Sequence, residues 1–529
     1  MNNIKSIILT SIFILSGLIL KGQTPGQNLD KYWNYKERLT TKFMVVENPL
    51  SVHPLHIDGI NLPANWRNPT NNFDNHNQIK WADAEHHLGY YLAVLATEYK
   101  LLTIHNENTS ETVTGIKYLL QTIERLDYRA EGEYGLDPDY LCRLFRIYGG
   151  QIELVYPYDE NCLNGFFIRD DVPGEGDDAY NGFSDYWKDN GYPAFNNVLT
   201  ELSDYHQVNP EPNEMSQDQV WNLLQGLALV KKLVDHPNTY TVGDGQHVTL
   251  KKWAQKITHR IVNFMHGGNT STTYEFCGIF SDCWPGHWVD VYTPLWLIRN
   301  PVTDEIVDRG GDPEDLYLNA YLFAEAGNWI TNQQWGDLHY NSMNEPNTVL
   351  PLPISNYWNN HAKIALSCII NSSSGYFNSF RELMHQLYKI ANGPKADEED
   401  GYNSHLGGDY ARFTFVHFPL MYIVLHDINI SRDNYYYHYY MSYVERLLNL
   451  AHPEGPSTGL YDINNNGTID DNDYTSEFWA TNGKRLVKPV GKDLPDNYKS
   501  KHREFNGIDY MLLYRQIQKY RLYFHKNPE

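Results

Sequence analysis

The stretch WADAEHHLGYYLAVLATEYKLL, residues 81–102, carries the clearest structural pattern in the chain. Its apolar side chains recur every three or four residues, the spacing that places side chains along one side of an α-helix. The residues that share this side are Leu88, Leu92, Leu95, Tyr99 and Leu102. The pattern predicts a long helix that buries this side against the rest of the protein.

The same helical period recurs along much of the chain that follows. It is present in residues 116–126, 220–234, 253–264, 377–391, 410–425, 437–450 and 508–523. Sustained alternation of apolar and polar residues, which is typical of half-buried strands, is scarce. The sequence therefore predicts an all-α protein and argues against a parallel sheet or a β-sandwich.

Paired helices joined by long loops are compatible with two architectures, a solenoid of helical repeats and a closed (α/α) toroid. Solenoid repeats share a fixed period and a consensus, and the chain has neither. A toroid accepts helical hairpins of unequal length and gathers their loops over one end of the ring. We expect a single (α/α) toroid that spans residues 23–529.

The first 22 residues have the composition of a secretory signal peptide. Lys5 gives a positively charged start, residues 7–20 are almost wholly apolar, and Lys21 returns to polar sequence. Because this apolar segment is short for a membrane span, cleavage is favoured over the alternative of an uncleaved anchor. We expect a secreted or periplasmic protein without a membrane partner after cleavage.

The composition restricts the classes of partner. Asp and Glu number 65 against 42 Lys and Arg, a net charge of −23 that opposes binding to nucleic acid. The 41 Tyr and 13 Trp residues offer flat rings that suit sugar binding as well as core packing. Motifs for nucleotide phosphates, dinucleotides, zinc proteases and serine esterases are absent from the sequence.

The densest acidic cluster is FFIRDDVPGEGDD, residues 166–178. Its adjacent carboxylates Asp170 and Asp171 repel each other, which can raise the pKa of one into the range of a general acid. An ion pair with Arg169 is the structural alternative. Glycosidic hydrolysis needs two carboxylates on opposite sides of the scissile bond. We predict a catalytic pair formed by Asp170 or Asp171 together with Asp218, which belongs to a different predicted helix.

Polar residues concentrate where several helices are predicted to begin. Carboxylates in a first turn complement the helix dipole, which is an ordinary structural role. If the inner helices of a toroid all begin at one end, however, their first side chains converge on one ligand. We therefore predict substrate-binding roles for Asp83, His86, Gln219, His405 and Asp409.

Two tryptophans in a predicted loop, Trp284 and Trp288, are further candidates for substrate binding. Exposed indole rings would stack on the faces of sugar rings. Ordinary packing is the alternative for each of them.

Residues 462–473, DINNNGTIDDND, have the ligand spacing of a calcium loop, with a glycine at the sixth position. The ligands would be Asp462, Asn464, Asn466, Thr468 through its backbone carbonyl, and Asp473. The loop resembles the calcium loops of dockerin modules and other EF-hand-like sites, although Asp473 stands where an EF-hand has Glu. We expect one structural Ca²⁺; an Asn-rich turn without metal is the alternative.

Taken together, the leader, the helices, the calcium loop and the acidic helix starts resemble secreted carbohydrate-active enzymes with an (α/α) toroid. The resemblance implies a glycoside hydrolase that cleaves a polysaccharide or oligosaccharide through a carboxylate acid and a carboxylate base. One alternative is a polysaccharide lyase, whose base would be Tyr90, His86, His361 or His405. The other is a non-catalytic glycan-binding protein.

Overall fold

The computed structural model is described over a set of separate ranges. These are residues 25–46, 61–68, 78–81, 84–134, 145–148, 151–154, 163–170, 199–200, 215–267, 298–299, 306–308, 323–333, 369, 417, 420–427, 441, 444–445, 448–449, 451, 453, 455 and 504–526. The described part is mostly helical with few strands, so the prediction of a mainly helical protein is confirmed. The signal peptide lies outside these ranges.

Six long helices make up most of the described structure. They are α1 (Pro25–Lys42), α2 (Ala84–His105), α3 (Ser110–Tyr134), α4 (Gln217–Leu233), α5 (Leu250–Gly267) and α6 (Ile508–Lys526). All but α1 coincide with predicted stripes. Of the other predicted helices, 410–425 and 437–450 are helical at their described residues, and 377–391 lies outside them.

Helix α1 was not predicted because its buried side is aromatic and interrupted by charge. Tyr32, Tyr35 and Leu39 are fully buried, while Lys31 and Lys36 on the same helix are also buried. Long cationic side chains can bury their methylene stems along apolar surface. The apolar period of α1 is consequently weaker in the sequence than in the fold.

Helices α2 and α4 touch backbone to backbone through two glycines. A Cβ atom at Gly89 of α2 would lie 2.3 Å from the carbonyl oxygen of Asn222, and one at Gly226 of α4 would lie 2.3 Å from the carbonyl oxygen of Gly89. Only hydrogen at these positions permits so close an approach. The two glycines therefore set the distance between the helices.

Contacts along α2 show that α4 and α6 both run parallel to it. His86 contacts Asn222 near the start of α4, and Tyr99 bonds Asp235 at 3.2 Å just beyond its end. In the same way, His87 lies 2.9 Å from Asn506 before α6, and Glu98 lies 3.2 Å from Arg515 further along it. The three helices thus begin at the same end of the protein.

Helices α3 and α1 run in the direction opposite to their neighbours α2 and α6. Helix α3 follows α2 as an antiparallel hairpin, with Thr112 bonded to Glu98 at 2.6 Å. Helix α1 is antiparallel to α6, since Arg38 donates to the carbonyl of Phe505 while the ring of Tyr32 lies 5.6 Å from that of Tyr514.

A small sheet lies at the end where α2 and α6 begin. Its strand order is β10 (Glu504–Phe505), β1 (Trp66–Asn68), β2 (Gln78–Lys80) and β5 (Leu199–Thr200). The pairs β10–β1 and β1–β2 are antiparallel, and β2–β5 is parallel. Because β2 leads into α2 and β10 into α6, the sheet ties these helix starts together.

The other strands form two-stranded antiparallel hairpins, of which one joins α4 to α5. They are β3 (Phe145–Tyr148) with β4 (Gln151–Leu154), β6 (Thr239–Thr241) with β7 (His247–Thr249), and β8 (Ile298–Arg299) with β9 (Ile306–Asp308). The hairpin of β6 and β7 makes the connection between α4 and α5.

Part of the tyrosine content belongs to the core. Tyr32, Tyr35, Tyr128 and Tyr510 are fully buried among the helices. Their rings add apolar area and their hydroxyl groups find partners, as when Tyr510 donates to the carbonyl of Asn28 at 3.0 Å.

None of the described helices has both the length and the apolar character needed to cross a bilayer.

Candidate functional site

Buried polar side chains gather where α2, α4 and α6 begin. We call this set the helix-start cluster: Glu85, His86, His87, Gln219, Asn222, Asn506 and Asp509. Each member is at most 4 % exposed. Because burial of polar groups is unfavourable unless they have partners, a concentration of this kind marks either a structural network or a functional site.

His86 joins the starts of α2 and α4. The amide nitrogen of Asn222 contacts Nδ1 of His86. The structure therefore brings His86, a predicted substrate-binding residue, to the common end of the helices.

Asn506 joins the start of α6 to α2 and to the loop before the sheet. Its amide nitrogen lies 2.9 Å from Nδ1 of His87 and donates to the carbonyl of Ala64 at 2.9 Å. Its side-chain oxygen accepts the N–H of Ile508, the first residue of α6, at 3.1 Å. Asn506 therefore links the last strand of the sheet, the first turn of α6 and His87. Sequence reasoning did not select Asn506 as a site residue.

Gln219 has a structural partner at the start of α4. Its side-chain oxygen accepts the backbone N–H of Ser216 at 2.8 Å, which is half of a capping box. Ser216 stands at the N-cap position, where serine is one of the preferred residues. The predicted contact of Gln219 with substrate stays a prediction beside this capping role.

Asp170 belongs to a mostly buried segment, residues 163–170, that is hydrogen-bonded to the chain just before α4. The carbonyl of Phe167 accepts the N–H of Met215 at 3.1 Å, two residues before α4 begins. Asp170 and Asp218 each follow this hydrogen-bonded pair by three residues. The structure thus brings together the two chain segments that carry the predicted catalytic carboxylates. Asp170 is fully buried, and the side chain of Asp218 lies outside the described structure.

Asp509 is a buried carboxyl in the first turn of α6. It is 2 % exposed, and its Oδ1 accepts the N–H of Tyr510 at 2.9 Å. Burial raises the pKa of Asp509 to about 8, although its backbone hydrogen bonds act in the opposite direction. Asp509 is therefore protonated at neutral pH. The sequence signal was its place in the helix start FNGIDY, residues 505–510, which was not enough to select it.

Replacement of Asp509 by Asn should change how stability depends on pH. Native Asp509 keeps its proton up to about pH 8, whereas an unfolded Asp loses it near pH 4. Between these values the native state binds more protons, so the wild type loses stability as pH rises, by at most about 1.4 kcal/mol per pH unit. Urea unfolding at about pH 5 and about pH 8 should show Asp509→Asn gaining stability relative to the wild type at the higher pH. A difference that does not vary with pH would contradict the buried, protonated carboxyl.

Tyr90 and His417 form a second group of buried polar rings. Their ring centroids are 6.3 Å apart, and the residues are 4 % and 1 % exposed. Burial lowers the pKa of His417 to about 3, so its imidazole is neutral at pH 7. His417 and residues 420–426 are helical, and Asp427, just after them, pairs with Lys232 near the end of α4 at 2.5 Å. This stretch therefore also runs parallel to α4.

Many predicted site residues lie outside the described structure. They are Asp83, Asp171, Trp284, Trp288, His361, His405 and Asp409, together with the calcium-loop residues Asp462, Asn464, Asn466, Thr468 and Asp473. Within the described ranges, no group of three or more His, Cys, Asp or Glu side chains is arranged to hold a metal ion.

Comparison of the chain with protein-family models, with curated proteins and with solved structures finds no match.

Proposed function

We propose that this protein is a secreted glycoside hydrolase with an (α/α) toroid fold. The observation that carries the proposal is the common direction of α2, α4 and α6, whose starts gather buried carboxyl, imidazole and amide groups at one end. Such an end can present acids from distant parts of the chain to a single ligand.

The toroid is supported by the alternation of helix directions. Helices α2, α4 and α6 are parallel to one another, while α3 and α1 run antiparallel to α2 and α6. The helical residues 417 and 420–426 share the direction of α4. A ring of parallel inner helices, each paired with an antiparallel outer helix, has this alternation. In the proposed fold, α2, α4, α6 and the 417–426 stretch form part of the inner ring.

The proposed chemistry is acid–base hydrolysis by carboxyl groups. One carboxyl protonates the leaving oxygen while a carboxylate activates water or attacks the sugar. Asp170, Asp171 and Asp218 are the candidates from the sequence, and the contact between Phe167 and Met215 supports placing the first and third close together. Asp509 offers another carboxyl, and its raised pKa gives the protonated form that a general acid requires.

Substrate binding and export complete the proposal. His86 and Gln219, with Asp83, His405 and Asp409, would bind sugar hydroxyl groups, while Trp284 and Trp288 would stack on sugar rings. One Ca²⁺ at residues 462–473 would stabilise a loop, on the strength of the sequence pattern. The apolar segment at residues 7–20 supports a secreted or periplasmic location.

A polysaccharide lyase is the second candidate, and the pairing of Tyr90 with His417 favours it. The two rings lie side by side, 6.3 Å apart, and His86 is one helical turn from Tyr90 on α2. A lyase needs a base that removes the proton next to a uronate carboxylate, and tyrosine or neutral histidine can serve. This mechanism yields unsaturated products, which hydrolysis does not.

The test is an assay of the purified mature protein on neutral and uronate polysaccharides, which reads both reducing ends and ultraviolet absorbance. Hydrolysis gives reducing ends alone. We expect Asp170→Asn and Asp218→Asn each to lower the rate by about a thousandfold, because loss of a general acid or base removes a factor of that order. Asp235→Asn is the matched control, since this exposed carboxylate lies just past the other end of α4.

Three results would count against the proposal. Unsaturated products would establish the lyase, and binding without either product would indicate a glycan-binding protein. Full hydrolytic activity in both Asn variants would show that the carboxyl pair is wrong.

A further inference from the structure

Asp127 of α3 holds the start of the segment that carries Asp170. Its carboxylate accepts the backbone N–H of Asn164 at 3.1 Å and that of Gly165 at 3.1 Å. Asp127 is 4 % exposed. Buried backbone N–H groups need acceptors, so the two hydrogen bonds to Asp127 locate this turn relative to α3.

Gly165 allows the same turn to press against α5. Its φ angle is +96°, and a Cβ atom there would lie 2.3 Å from the carbonyl carbon and oxygen of Arg260. Any other residue would be strained by the backbone angle and would collide with α5. The turn is therefore held from two sides, by Asp127 and by the backbone of α5.

Arg260 of α5 lies between Asp127 and a second acidic residue of α3, Glu124. The guanidinium of Arg260 lies 4.0 Å from Asp127 Oδ2 and also pairs with Glu124, one turn earlier on α3. Glu124 in turn accepts the N–H of Gly243 at 2.7 Å. Two carboxylates on α3 thus fix two separate loops, Asp127 the 163–170 segment and Glu124 the turn between β6 and β7.

Two further backbone hydrogen bonds hold the part of the segment that leads to Asp170. The N–H of Ile168 donates to the carbonyl of Leu126 at 3.3 Å, and the carbonyl of Phe167 accepts from Met215 at 3.1 Å. The segment is thereby bonded first to α3 and then to the chain just before α4.

From this geometry we infer that Asp127 is a positioning residue, which fixes the 163–170 segment so that Asp170 lies beside the start of α4. The inference rests on the proposed hydrolase function and extends it from the reacting carboxyls to the groups that align them. A shift of about 1 Å in a catalytic group is enough to lower a rate by about a hundredfold.

The test uses two substitutions and one matched control in the full mature protein. Asp127→Ala removes the acceptor, whereas Asp127→Asn keeps one oxygen that can accept both N–H groups. Asp244→Asn is the control, because Asp244 pairs with Lys256 in the same region and bonds the N–H of Gln246. None of these residues belongs to the proposed reacting groups.

The first measurement is hydrogen exchange by mass spectrometry on peptides that cover residues 163–170. We expect at least about tenfold faster exchange in Asp127→Ala, since the backbone amides lose their acceptor. The Asn variant and the control should retain slow exchange, and peptides from α2 and α4 should be unchanged. Unchanged exchange in Asp127→Ala, or equally faster exchange in every helix, would overturn the positioning role.

The second measurement is the hydrolysis rate. We expect kcat of Asp127→Ala to fall by about a hundredfold with KM within about twofold, because the substrate still binds while the carboxyl is misplaced. Asp127→Asn should recover most of that loss. If exchange rises while kcat is unchanged, Asp127 does not position a reacting group. If the wild type hydrolyses nothing, the proposed function is wrong, and so is the role of Asp127 in positioning a catalytic group. The exchange data still decide whether Asp127 anchors the 163–170 segment.

Discussion

Replacement of Glu98 by Gln is expected to lower the free energy of unfolding by about 3–5 kcal/mol, the range found when one partner of a buried ion pair is removed. Glu98 lies in the middle of α2 and is fully buried. Its carboxylate bonds Lys36 of α1 at 2.9 Å and Arg515 of α6 at 3.2 Å, and it accepts from Thr112 of α3 at 2.6 Å. The variant would leave two buried cations without their anion.

The pKa of Glu98 supports the same expectation. Burial alone would raise it, but Lys36 and Arg515, with the hydrogen bond from Thr112, hold the pKa of Glu98 below its usual value. The carboxylate is therefore ionised at neutral pH, and its stabilising effect is lost only as the pH falls through this lowered pKa.

The matched control for this prediction is Glu111→Gln. Glu111 lies 3.2 Å from the same cation, Lys36, but its side chain is 86 % exposed. Exposed ion pairs contribute little to stability, so we expect the free energy of unfolding to change by less than about 1 kcal/mol. Urea unfolding of both variants, followed by circular dichroism, measures the difference. Equal effects would mean that Glu98 does not join the helices as a buried anion.

Replacement of Gly89 by Ala is the second change for which we expect a large effect. The added methyl group would lie 2.3 Å from the carbonyl oxygen of Asn222 and 2.9 Å from the backbone nitrogen of Leu223. These are backbone atoms of α4, which cannot turn aside as a flexible side chain can. We expect overpacking to lower the free energy of unfolding by about 3 kcal/mol, despite the better helix propensity of alanine.

Gly115→Ala is the control for the glycine prediction. Its Cβ would meet the Cδ1 atom of Leu95 at 2.9 Å, which is the end of a side chain that can change rotamer. The gain in helix propensity, about 1 kcal/mol, should largely offset this contact. Both variants can be compared by urea unfolding. If Gly89→Ala is no less stable than the control, the close parallel packing of α2 against α4 is wrong.

Several elements could be predicted from the sequence because their signals are local. The spacing of Leu88, Leu92 and Leu95 predicts both the existence of α2 and the side that it buries, and the prediction holds. The position of Ser216 before α4 follows from its capping chemistry. Such signals concern side chains within one or two helical turns, where the backbone geometry is already known.

The contacts between these helices could not be predicted from such local signals. Glu98 interrupts an apolar stripe, and nothing nearby indicates that Lys36 and Arg515 will neutralise it from α1 and α6. Asp127 and Gly165 are separated by 38 positions, yet they are hydrogen-bonded. Asn506 and His87 are further apart still, by 419 positions.

The sequence by itself determined that α2 to α6 are helical, which of their sides are apolar, and where the polar first turns of α2, α4 and α6 lie. Periodicity carries this information because it reflects contacts within a single helix. Only the tertiary structure decided that α2, α4 and α6 begin at one end, that α2 and α4 touch through Gly89 and Gly226, and that Phe167 is hydrogen-bonded to Met215 just before α4. Those features depend on contacts between residues far apart in the chain, and no local pattern of side chains encodes them.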